Sequence, residues 1–208
     1  MGKTGLIASM VLLAAALPLA AHSATSYEAE LQPVNSKVID GKAAGKVSFE
    51  RTGSQLLVTV TTKGLEPKLM HLQHLHGSRD GMEARCAPES ADANDDEFVD
   101  LIETHRYSGV TLIPLHDDPP SLEIKTDTYP TSDADGAYTY EQTVDWDELS
   151  EAVADEYDLD DLDLDRMVVY VHGVPDDFEL PDSVASLPGV PAQVTLPIAC
   201  AELEASEE

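Results

Sequence analysis

The feature that most constrains this chain is a two-residue alternation on either side of a tight turn. Val47 and Phe49 are apolar, and Lys46, Ser48 and Glu50 around them are polar; Leu56, Val58 and Val60 repeat the pattern. Successive side chains of a strand point to opposite faces, so each run presents one apolar face and one wet face. Thr52-Gly53-Ser54 between the runs is a turn signal, and the pair reads as an antiparallel hairpin. Lys63-Gly64-Leu65-Glu66-Pro67 then breaks the second strand. Residues 70–76, 110–115, 138–144, 167–172 and 193–200 read as further short strands. Asp133-Ala134-Asp135-Gly136 supplies the turn ahead of the third of these. In the last, Val194, Leu196, Ile198 and Cys200 share one face. Only Trp146 to Tyr157 has helical character. Residues 87–103 and 145–165 read as acidic loops, and Pro175 to Pro191 as a long proline-rich one. Short strands, turn signals and few helical patterns predict an all-β sandwich or barrel.

Charge narrows the function. Lys and Arg number 12 against 40 Asp and Glu, a formal charge of −28. A nucleic-acid binder needs a basic footprint, and an anionic membrane surface would repel such a chain. No Walker-type or dinucleotide glycine loop offers a seat for nucleotide chemistry. Residues 1–23 have a different character: Lys3, an apolar run from Leu6 to Leu19, then Ala21 and Ser23 as small residues at −3 and −1. That layout is a secretory signal peptide, and the run is short for a membrane span. Secretion or export to a periplasm follows, with residues 24–208 as the mature barrel domain. Cys86 and Cys200 are the only cysteines, and in an oxidising compartment the pair reads as one disulfide.

Three histidines crowd into Met70-His71-Leu72-Gln73-His74-Leu75-His76-Gly77. On a strand His74 and His76 face the same side about 7 Å apart, a spacing suited to a shared metal, while His71 faces away. His172 ends another strand and could complete a three-nitrogen site. Imidazole suits copper and zinc, and an incomplete shell leaves a position open for chemistry. The same residues also fit hydrogen-bonded histidines without metal.

In combination these features resemble the secreted Cu,Zn superoxide dismutases. His71, His74 and His76 match a strand of the form H-x-x-H-x-H-G, and Cys86 follows as that family's first cysteine does. Asp133, Asp135 and Gly136 match a D-x-D-G hairpin. Val168, Val169, His172, Asp176 and Asp177 match V-V-x-H followed by two aspartates, with one residue inserted. Ile198-Ala199-Cys200 matches a closing L-A-C strand. The resemblance runs along most of residues 27–203. It implies an eight-stranded Greek-key barrel, with His74, His76 and His172 as copper ligands. It also implies a Cys86–Cys200 bond tethering a loop to the barrel, and His71 as a residue beyond the ligand shell that holds loop backbone.

The departures are chemical. The family's zinc loop supplies several histidines and an aspartate, whereas between Cys86 and Asp133 this chain has only His105 and His116, neither in a G-P-H context. A zinc site is therefore not expected, and His105 is the candidate fourth copper ligand. Pro197 stands where the family places an anion-guiding arginine. In place of zinc ligands the chain reads as a twelve-residue calcium loop: Asp92, Asn94 and Asp96 at positions 1, 3 and 5, the Phe98 carbonyl at 7, Asp100 at 9 and Glu103 at 12. Glu97 occupies position 6, where glycine permits the turn, and a solvated acidic loop explains the same residues. Three functions fit: a copper-only dismutase acting on superoxide, a non-enzymatic copper-binding protein, or an extracellular structural module similar to the CHRD modules.

Overall fold

The computed structural model describes residues 24–39, 42–125, 127–159 and 161–206; the expected leader at 1–23 lies outside them. The strands are β1 (Ala24–Pro33), β2 (Ala44–Thr52), β3 (Gln55–Lys63), β4 (Gln73–Gly77), β5 (Val110–Pro114), β6 (Tyr138–Asp145), β7 (Val168–His172), β8 (Pro197–Glu202) and β9 (Glu204–Ala205). The helices are α1 (Leu101–Ser108), α2 (Trp146–Tyr157) and the single turn α3 (Ala192–Thr195).

The alternating hairpin is β2–β3, with Val47 opposite Val60 and Phe49 opposite Val58. Gly53 takes the turn at φ 63°, a left-handed conformation that glycine enters without steric penalty. Val47, Phe49, Leu56, Val58 and Val60 are each at most 1% exposed. Each such side chain stabilises the fold by roughly 1.5–3 kcal/mol relative to exposure. The eight longer strands form one curled antiparallel sheet in the order β5-β4-β7-β8-β1-β2-β3-β6, and β9 adds to β1. The connections β3 to β4, β5 to β6 and β6 to β7 therefore cross from one end of the sheet towards the other. The ends are β5 and β6, and α2 touches both. Trp146, Leu149 and Val153 are its buried residues. Covering strand edges with a helix removes a site for unwanted pairing. Among the described residues no helix is long and apolar enough to cross a membrane.

Three local expectations change. The strand expected over 193–200 is α3 followed by β8, which starts at Pro197; proline lacks the N–H a ladder needs and is tolerated as a first strand residue. The strand expected from residue 70 begins at Gln73, because His71 donates its backbone N–H to Pro130 instead of to a neighbouring strand. The acidic stretch 87–103 runs into α1. Asp100 accepts from the N–H groups of Ile102 and Glu103, and the Glu103 carboxylate accepts from the Asp100 N–H, a reciprocal cap.

β4 lies between β5 and β7 and is buried on both faces, as is β7. Leu75, Val169 and Val171 join the main core. On the other face Val168, Tyr170 and Cys200 cluster with Ala84. The Cys86–Cys200 bond ties the segment around Ala84 to this face, across 114 residues of chain.

A buried histidine trio under the tethered loop

Antiparallel pairing places Tyr170 opposite His74 and Val168 opposite His76. Partners directly opposite share a face, so His74, His76, Tyr170 and His172 all lie on the tethered side. His172 closes the ladder by donating its N–H to the Leu72 carbonyl at 2.8 Å. Ring centroids are 5.4 Å apart for His74 and His172, 6.0 Å for His74 and His76, and 6.1 Å for His76 and His172. One nitrogen of each lies within 4.8 Å of the other two, and the three rings are buried.

Hydrogen bonds show which nitrogens are available. Nδ1 of His172 is 2.8 Å from the Thr195 carbonyl, which can only accept, so Nδ1 carries the proton and Nε2 the lone pair. That Nε2 is buried without a partner, and so is Nδ1 of His76. Nε2 of His76 has only a long 3.4 Å approach to the Thr111 hydroxyl. Nε2 of His74 shares a 2.8 Å hydrogen bond with the Tyr129 hydroxyl, which leaves Nδ1 to offer. Orphaned buried nitrogens are destabilising unless something binds them, and a metal accepts such lone pairs.

Burial also sets the protonation state. Desolvation, followed by the neighbouring His172 and His105, lowers His76 to about 3. Desolvation lowers His172 to about 4 against a small opposing pull from its Thr195 bond. His74 is pushed well below the ordinary imidazole range by desolvation and by the His172, His76 and His116 rings. All three rings are therefore neutral at physiological pH, the form that ligates metal.

The other candidate residues take distinct places. His71 is fully buried on the far side, 3.1 Å through Nδ1 from the His172 carbonyl and stacked on Tyr138. His116 is buried but engaged at both nitrogens: Nε2 donates to the Glu123 carbonyl at 2.7 Å, and Nδ1 accepts the Asp118 N–H at 3.0 Å. Its ring packs edge-on against Tyr129. His105 is exposed on α1 and is not gathered with the trio. It lines a cleft of about 260 Å³ that reaches His76, beside Ile102, Thr111 and Leu187.

The acidic loop turns inward on itself. Asp92 accepts from the N–H groups of Asp96 and Glu97, Asn94 from Asp96, and Asp96 from Phe98. Glu97 adopts φ 74°, the left-handed conformation for which position 6 of a calcium loop favours glycine. Glu103 accepts from the Ala93 N–H, and Asp100 from Ala185 as well as from α1. Among the described residues the histidine trio is the one group of three His, Cys, Asp or Glu with ligand atoms this close.

Sequence reasoning missed Tyr129, Tyr170 and Thr195. Tyr170 packs 5.3 Å from the His76 ring, and its hydroxyl accepts the Ala87 N–H at 2.7 Å. Its position two before His172, on the same strand face, was the available signal. Tyr129 carried no local signal.

No protein-family model matches this chain, and no curated protein matches it. Solved structures similar to it include a double mutant of a SOD-like protein from Bacillus subtilis, at 16% identity and a TM-score of 0.43, covering 85% of this chain and 96% of that one. A single mutant of a SOD-like protein from Bacillus subtilis stands at 15% and 0.43, covering 85% and 97%.

Proposed function

We propose that this chain is an exported copper-binding protein on a superoxide dismutase-like barrel, with His74, His76 and His172 as the copper ligands. The observation that supports it is the convergence of three buried imidazoles, two with orphaned nitrogens, from adjacent strands. Nitrogen donors without a carboxylate or thiolate suit copper. Among the described residues no second group of three such ligands is gathered; His116 is held at both nitrogens and His105 is not gathered with the trio. Copper so bound would exchange single electrons with a molecule at its open position, which is the chemistry dismutation requires. The protein's own part is to hold the rings. The Thr195 carbonyl sets the tautomer of His172, Tyr129 holds the edge of His74, and burial keeps all three unprotonated.

The dismutase reading and the copper-carrier reading share these ligands and differ in turnover. Pro197 in place of an arginine, together with the charge of −28, favours the carrier. The test is to load purified protein with one equivalent of Cu²⁺, record its EPR spectrum and measure superoxide decay. Nitrogen hyperfine structure and stoichiometric binding are expected, with affinity falling at least 100-fold in His172→Ala. Negligible turnover selects the carrier, and rapid turnover lost in His172→Ala selects the dismutase. Failure to bind stoichiometric copper overturns both and leaves a structural module.

A further inference from the structure

We infer that the histidine trio is built for copper in its reduced, singly charged state and discriminates against doubly charged ions, Cu²⁺ and Zn²⁺ included. The inference rests on the copper reading and names the oxidation state of the ion the site takes. Charge is the first support. The gathered ligands are all imidazoles, and among the described residues no Asp, Glu or Cys completes the group. The groups that hydrogen-bond to the rings are neutral as well: the Tyr129 hydroxyl on His74, the Thr111 hydroxyl on His76 and the Thr195 carbonyl on His172. A carboxylate behind a ligand histidine makes the ring a stronger donor and answers the charge of a divalent ion. None backs these rings.

Burial is the second support. His74, His76 and His172 are 5%, 3% and 2% exposed. The cost of taking an ion out of water grows with the square of its charge, so a dipositive ion loses about four times what a monopositive one does. Three neutral rings do not return that difference. The overall charge of −28 pulls the other way, towards the higher charge. Its carboxylates act from the surface, where salt screens them over about 8 Å. Among the described residues only one carboxylate, Asp100, is buried, and it is already taken by the N–H groups of Ile102, Glu103 and Ala185. Shape is the third support. The triangle of ring centroids has sides of 5.4, 6.0 and 6.1 Å, close to equilateral. Three corners of the tetragonal arrangement that Cu²⁺ prefers would make one side about 1.4 times the others. A site this partial to the reduced ion suits a carrier, because a dismutase must pass through both states with comparable ease.

The test measures affinities of the metal-free protein at pH 7.5. Cu⁺ is titrated under nitrogen against bicinchoninate, and Cu²⁺ and Zn²⁺ are titrated against nitrilotriacetate. Cu⁺ is expected to bind about 1,000-fold more tightly than either divalent ion. Thr111→Asp puts a carboxylate beside His76, and Thr111→Asn adds the same bulk without charge. The first is expected to narrow the preference for Cu⁺ at least tenfold relative to the second. Cu²⁺ or Zn²⁺ binding as tightly as Cu⁺, or a preference that Thr111→Asp leaves where Thr111→Asn does, overturns the inference. In either case stoichiometric copper with nitrogen hyperfine structure leaves the copper reading standing. Absence of stoichiometric binding by both copper ions would strike that reading, and the inference with it.

Discussion

The buried imidazoles link the site to stability through their protons. An exposed imidazole titrates near 6.5, whereas burial lowers His76 to about 3 and His172 to about 4. Above about pH 7.5 neither the folded nor the unfolded chain holds these protons to any extent. As pH falls from there towards the folded values, the unfolded chain takes them up first, so stability decreases with falling pH. Between pH 6.5 and 5 the loss is about 1.5 kcal/mol for each such histidine. Carboxylates titrate in the same direction, so the diagnostic quantity is a difference between variants. His172→Phe, which keeps a ring and removes the titration, is expected to show a shallower fall in urea midpoint from pH 6.5 to 5.0 than the parent. Parallel curves would mean that the ring is hydrated. At this scale the sequence was legible wherever parity decides: His74 and His76 share a face because they are two apart on a strand. The partner of His74, Tyr129, lies 55 residues away and reaches it through a loop, so no local pattern announces it.

Elements were legible where one period dominates. The β2–β3 hairpin and α2, with its Asp145 cap, follow from alternation and from helical spacing. α1 was hidden because Asp100 and Glu103 satisfy two templates at once. A helix N-terminus and a bound cation both ask for oxygens at that spacing, and Asp-x-x-Glu fits either. In the structure the backbone N–H groups take those oxygens. The long-range tether was legible from its two cysteines, and its consequence is energetic as well as architectural. Closing a loop of 114 residues restricts the unfolded chain by about 5 kcal/mol in the chain-entropy account. The same bond anchors the segment whose Ala87 N–H meets Tyr170 beside His76. Replacing both cysteines by alanine is thus expected to lower unfolding free energy by several kcal/mol and to weaken copper binding together with it. Urea titrations and copper competition assays on the double variant check both. Lost stability with unchanged affinity would show that the segment seats itself without the bond.

Across the whole molecule the charge of −28 is spread over a fold with few cations to answer it. The pairs that do form, such as Lys37 with Glu89 at 2.5 Å and Lys46 with Glu28 at 2.7 Å, lie at the surface, where an ion pair is worth about 0–1 kcal/mol. Compacting so many carboxylates therefore opposes folding, and screening should relieve it: the Debye length falls from about 30 Å at 0.01 M salt to about 3 Å at 1 M. Relief of 2–3 kcal/mol would raise Tm by roughly 5–10 °C in a chain of this size. Sodium and potassium chlorides should act alike if the effect is screening. Calcium separates the general field from a specific site in the 92–103 loop. The loop oxygens already accept backbone N–H groups, and its carboxylates are not gathered as the histidines are. One millimolar Ca²⁺ is accordingly expected to shift Tm no more than sodium chloride of equal ionic strength. Scanning calorimetry with and without chelator checks this: a calcium-specific rise of several degrees, abolished in Asp92→Asn with Asp96→Asn, would show that the loop rearranges around an ion and that acidic spacing had outweighed its internal hydrogen bonds.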